Sequence, residues 1–130
     1  MERSIIDISD QMKSNPNVSL PFEYLSFLKE HGTPLDSIGI NGYALSRQRA
    51  LQALEILARL KLPVLGGDVI AYHNGMLTLT YDNWYINGPF SDSQSVELSH
   101  KKARDFIASY DEPSDGTVLY QLITQAEKAA

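Results

Sequence analysis

A chain of 130 residues with 43% apolar and 21% charged residues has the size and composition of one folded domain, not those of a disordered chain. It has no cysteine, so disulfides and thiolate metal sites are excluded, and no apolar run is long enough to cross a membrane as a helix. The net charge of −5 lies wholly in the second half: residues 1–62 hold seven basic and seven acidic residues, whereas residues 63–130 hold four and nine.

The first ten residues, MERSIIDISD, lack a basic stretch followed by a long apolar run. No secretory signal is read there, and a cytoplasmic setting is expected. Ile5, Ile6 and Ile8 suit either a strand or a short packed arm, and Ser14 to Asn17 reads as a loop. Pro21 then suits the first position of a helix over 21–31. Its apolar stripe is expected to use Phe22, Leu25 and Leu28, widened by Tyr24 and Phe27, with Gly32 as a left-handed cap. Thr33 to Tyr43 is a connector, in which Ile38 to Ile40 is a short strand or a turn.

Ser46 is expected to cap the strongest helix, over 47–61. Its Ala50, Leu51, Leu54, Leu57, Ala58 and Leu60 share one stripe. Burying its three central leucines contributes about 1.5–3 kcal/mol each before entropy is counted. Arg59 and Lys61 suit the last turn, and Pro63 stops the helix.

Pro63 to Phe90 holds the clearest local signal. Asn74-Gly75 is the preferred pair for a two-residue hairpin turn, because both residues must reach positive φ. The implied register places His73 opposite Met76, Tyr72 opposite Leu77, Ala71 opposite Thr78 and Ile70 opposite Leu79. Continued without a break, it sets Val69 against Thr80 and Asp68 against Tyr81. Ile70, Tyr72, Leu77 and Leu79 form the more apolar face, and the long helix is expected to cover it. Gly66-Gly67 marks a bulge or a close backbone approach. The second strand runs on, or bulges at Asp82-Asn83, through Ile86. Then come a polar loop at Ser91 to Ser95, a short strand at Val96 to Leu98, and a helix over 100–110 capped by Ser99. A last strand, 117–124, alternates through Val118, Tyr120 and Leu122, and Gln125 to Ala130 reads as a frayed tail. The expected fold is therefore α+β: one domain over 1–130, with a small, mostly antiparallel sheet built on a hairpin at about 64–87 and three helices packed against it.

No arrangement of residues carries recognisable chemistry. His31, His73 and His100 lack metal-ligand spacing. No GxSxG occurs, and Gly66-Gly67-Asp68 is not a phosphate loop. No cofactor or metal is predicted. Asp68 and Asp82 are the one candidate carboxylate pair, but the unbroken register sets them on opposite faces. Trp84 suits the core better than a binding patch, while Tyr85 suits either. Between Pro63 and Leu98 the charged residues are Asp68, Asp82, Asp92 and Glu97, with no lysine or arginine. Such a surface repels nucleic acid and attracts a basic protein, or simply keeps the protein soluble.

Several strings resemble a family of bacterial immunity proteins, the one numbered forty among those that accompany polymorphic toxins. They are Gly42-Tyr43-Ala44, Ala50-Leu51, Pro63 to Val69 (PVLGGDV), Thr80 to Trp84 (TYDNW) and the Ser99, Ala103, Phe106-Ile107 pattern, within about Gly42 to Leu122. The resemblance implies a cytoplasmic, non-catalytic protein that binds and neutralises a cognate toxin made by the same cell. Under that reading the expected contacts are Asp68, Asp82, Asp92 and Glu97, with Tyr85 as an aromatic anchor, and the toxin is expected to be basic. Two other readings stay open from the residues alone: a small enzyme built on the Asp68/Asp82 region, with or without His73, and a self-associating module using the hairpin edge.

Overall fold

The computed structural model describes residues 18–114, 117–124 and 127–128. The isoleucines at 5, 6 and 8 and the loop at 14–17 lie outside the described residues. In chain order the elements are β1 (Val18–Ser19), α1 (Phe22–His31), β2 (Thr33–Pro34), a 3-10 turn (Asp36–Ile38), β3 (Tyr43–Ala44) and α2 (Arg47–Arg59). They continue with β4 (Val64–His73), β5 (Met76–Tyr85), α3 (Ser93–Ser109), β6 (Thr117–Thr124) and β7 (Glu127–Lys128). The three-stranded antiparallel sheet runs β5-β4-β6, and two small ladders, β2-β3 and β1-β7, flank it. The α+β architecture, the hairpin, the three helices and the C-terminal strand are as the sequence predicts. Within the tail expected to fray, Glu127–Lys128 pairs with β1; the other residues of that tail lie outside the described residues.

The hairpin register holds from His73/Met76 to Ile70/Leu79 and then breaks. Asp68 faces Asn83 instead of Tyr81, so Val69 alone stands opposite Thr80, Tyr81 and Asp82. The side chain of Thr80 holds this bulge: its hydroxyl donates to the Val69 carbonyl (2.7 Å) and accepts from the Asp82 amide (3.0 Å). Tyr81 takes a left-handed conformation (φ 69°), and its carbonyl accepts from the Asn83 side chain.

The break is accompanied by a reversal of faces. The helices cover the side bearing Val69, Val118, Tyr120 and Leu122, which join Leu54, Leu57, Ala103 and Ile107 in the main core. The side bearing Ile70 does not meet α2. Ile70 and Leu119 pack under Leu35, Ile38 and Ile40 of the connector, while Tyr72 and Leu79 stay 41% and 42% exposed. The apolar count of the hairpin alone points the other way. What decides is β6: its alternating Val118, Tyr120 and Leu122 align with the Val69 side and bring more buried surface to that face.

Three helix expectations change with the packing. In α1 the buried pair is Tyr24 and Leu28, and Phe22 is exposed. Gly32 ends α1 in an extended rather than a left-handed conformation, and what requires a glycine there is close approach: a Cβ would meet Tyr43 and the Leu28 carbonyl. In α2, Ser46 caps as predicted, accepting from the Arg49 amide (3.2 Å). The helix ends at Arg59. Lys61, not a glycine, takes the left-handed position (φ 61°), with Lys61 N–H to the Ala58 carbonyl and Leu62 N–H to the Leu57 carbonyl.

The helix α3 begins at Ser93 and absorbs the strand expected at Val96 to Leu98. Asp92 and Ser95 form a reciprocal capping box, so the helix starts six residues before Ser99. Ser99 and His100 are consequently interior residues. The Ser99 hydroxyl accepts from the Val64 amide (3.0 Å) and donates to the Val96 carbonyl, and His100 Nε2–H donates to the Leu62 carbonyl (2.6 Å). Together they dock α3 on the start of β4. Arg47 docks the other end, donating to the Ile107 and Tyr110 carbonyls and pairing with Glu112 at 3.5 Å.

Candidate functional site

The two longest strings singled out by sequence lie side by side. Gly66 faces Tyr85, Gly67 faces Trp84 and Asp68 faces Asn83 across β4 and β5. A side chain at Gly67 would collide with the indole of Trp84 at 2.1 Å and with the Gln121 carbonyl at 2.6 Å. One at Gly66 (φ 152°) would run into the Trp84 carbonyl. The glycine pair thus marks both of the features its sequence allows, a bulge between Val64 and Gly66 and a close approach to β5. Trp84 lies over Gly67 and stacks on Phe106 of α3, with ring centroids 4.6 Å apart. Its core assignment therefore holds in part: the ring is half-buried at the margin of the main cluster.

The next residue, Tyr85, is 80% exposed. With Asp68, Asn83 and Ile123 it surrounds the glycine pair and encloses a shallow hollow of about 310 Å³. No lysine or arginine lines this hollow. An aromatic ring, an aliphatic wall and one carboxylate around a floor of bare backbone suit a partner's basic side chain, whose apolar stem lies on Tyr85 and Ile123 while its charge meets Asp68.

The five residues picked from sequence do not form one patch. Asp68 and Tyr85 share the hollow. Asp82 sits in the bulge, where its carboxylate accepts from the Tyr110 hydroxyl (2.5 Å), a bond that raises the pKa of Tyr110 above the ordinary tyrosine range. Asp92 is occupied as the cap of α3; the Ser95 amide holds its pKa below the usual carboxylate range. Asp92 and Glu97 line a separate groove of about 430 Å³ between the end of α2 and the start of α3. Lys61 and His100 line the same groove, so folding brings a lysine to a stretch of sequence that has none of its own.

The carboxylate pair is not assembled. Asp68 shares the side of Ile70 and Leu119, whereas Asp82 reaches to Tyr110 at the end of α3, on the helical side. Among the described residues no three histidine, aspartate or glutamate side chains are placed to hold a metal ion, and no helix is long and apolar enough to cross a membrane.

The profile of the family described as Immunity protein 40 matches residues 34–124, well over half of the chain. The chain belongs to the immunity protein 40 family. The match extends the resemblance seen in the sequence from Gly42 back to Pro34 and from Leu122 on to Thr124. It thereby takes in the connector that covers Ile70, the glycine pair, the Trp84 contact and the whole of β6. No curated protein and no solved structure is significantly similar to the chain.

Residues that sequence reading missed are structural supports of this site. Gln121 is buried and donates to the Asn41 carbonyl (3.0 Å), while Gly42 (φ 117°) leaves room for its amide. The Gly42 string of the family is thus explained by a contact to β6. Only the glycine itself signalled it.

Proposed function

We propose that this protein is a cytoplasmic, non-catalytic immunity protein that binds and neutralises a cognate toxin through the face centred on Asp68 and Tyr85. Family membership supports the neutralising role. The observation that carries the choice of face is the hollow beside the glycine pair, which combines an exposed aromatic ring, Tyr85, with the Asp68 carboxylate and has no basic residue in its lining. The toxin surface that meets it is basic. Asp82 lies across the sheet on the helical side, bonded to Tyr110, and Asp92 and Glu97 line a separate groove with Lys61, so each of the three contributes to the toxin's approach only at longer range. The protein acts by occupying the toxin's surface, in stoichiometric amounts.

The test is co-expression with the toxin domain encoded beside this chain's gene, read as growth protection and as co-purification of the two proteins. Absence of both overturns the reading. Within the complex, Tyr85→Ala weakens binding by about tenfold or more, as truncation of an aromatic anchor does. Asp68→Lys chiefly slows association, and more at low than at high ionic strength. If both variants bind like the parent, the toxin docks elsewhere on the molecule.

A further inference from the structure

We infer that two copies of this chain pair edge to edge through β5, forming one continuous six-stranded sheet. Among the described residues β5 is bonded on one side only, to β4. In a two-residue hairpin the pair next to the turn, His73/Met76, exchanges both of its backbone hydrogen bonds, and the pairs alternate from there. Leu77 and Leu79 are therefore the residues whose N–H and C=O groups point away from β4. Natural edges are blunted by lysine, proline or an inward charge. Met76 to Tyr81, MLTLTY, carries none of these, and the bulge lies only at its far end.

The segment is self-complementary. An antiparallel pairing on a two-fold axis at Thr78 sets Leu77 of each copy opposite Leu79 of the other. Both members of each pair have free backbone groups, so all of those groups are satisfied. The four leucine side chains then fall on one face, continuous with Ile70 and with Ile38 of the connector. They cover the exposed part of Leu79, which as a monomer is 42% accessible. The same axis brings the Asp82 end of each strand to the His73–Gly75 turn of the other, so no like charges meet. The occupant of this edge is thus a second copy, because register, apolar stripe and charge all match under one rotation. Asn83 to Tyr85 lies beyond the bulge and outside the paired segment.

Sedimentation equilibrium on the full chain tests this. The expected result is a species of twice the 14.5 kDa chain mass that dissociates on dilution, with the Leu77 and Leu79 amides slow to exchange hydrogen in the dimer. Leu79→Lys places a charge in the stripe and yields a monomer with unchanged circular dichroism. Leu79→Pro removes one outward N–H, leaves the β4 ladder intact and gives the same result by a different route. A parent chain that stays monomeric up to about 1 mM overturns the inference, as does a dimer that both variants leave intact.

Discussion

Gly67→Ala is the sharpest probe of how the two family strings meet. Gly67 has no positive φ, so its backbone accepts alanine. On conformational entropy alone the substitution would stabilise the fold by about 0.4–1 kcal/mol. The new methyl group, however, would sit 2.1 Å from the Trp84 Cη2 atom and 2.6 Å from the Gln121 carbonyl oxygen. The first neighbour is a ring held by Phe106, and the second is backbone of β6, so neither yields cheaply. Overpacking of this kind costs about 1–3 kcal/mol, enough to reverse the sign of the entropic gain. Urea unfolding followed by the fluorescence of Trp84, the one tryptophan, reads both the stability and the displaced ring. With a denaturant slope of about 1–3 kcal/mol/M, the midpoint falls by on the order of 1 M. In a Trp84→Leu background, followed by circular dichroism, the penalty shrinks to the part owed to the Gln121 carbonyl. The cycle therefore shows a coupling of about 1 kcal/mol or more. A Gly67→Ala protein as stable as the parent, or more so, refutes the close-approach account of the glycine pair.

Two further substitutions test the supports around this site. Lys61→Gly relieves a left-handed conformation that costs an L-residue roughly 1–2 kcal/mol, against about 0.5–1 kcal/mol of added chain entropy. A net gain of about 0.5–1 kcal/mol in urea unfolding is expected, and a loss would show that the lysine makes contacts that outweigh its strain. Burial of His100 holds its pKa below the ordinary value, against the opposing effect of its bond to the Leu62 carbonyl. The unfolded chain takes up the proton first. The contribution of His100 to stability is therefore full above pH about 6.5, falls as pH drops toward the depressed folded value, and changes no further below it. His100→Gln keeps a donor for Leu62 and removes this contribution to the slope between those limits; an unchanged slope would assign the pH dependence elsewhere.

Local order was legible in the sequence because it is set locally. Asn74-Gly75 determined the turn and the four pairs beside it, since the positive φ values required there leave few residues to choose from. Ser46 and the leucine spacing determined α2. The start of α3 was equally local, written in the capping box of Asp92 and Ser95, and polar composition alone hid it. The resemblance strings pointed to the family, and the LGGDV and TYDNW strings were placed next to each other by the hairpin they enclose.

The tertiary structure decided what depends on competition between distant segments. The sheet face turned toward the helices was settled by β6, more than forty residues after the turn, because its apolar side aligned with Val69 and not with Ile70. The bulge at Thr80 to Asp82 shifted the register by which Asp68 and Asp82 would be judged. The charge run from Pro63 to Leu98 had no lysine or arginine in sequence, yet folding set Lys61 beside Asp92 and Glu97. Coulomb energy depends on distance in space and not on order along the chain. That is why the acidic stretch alone could not say where the surface stays acidic, and why the Asp68–Tyr85 hollow could be found only in the fold.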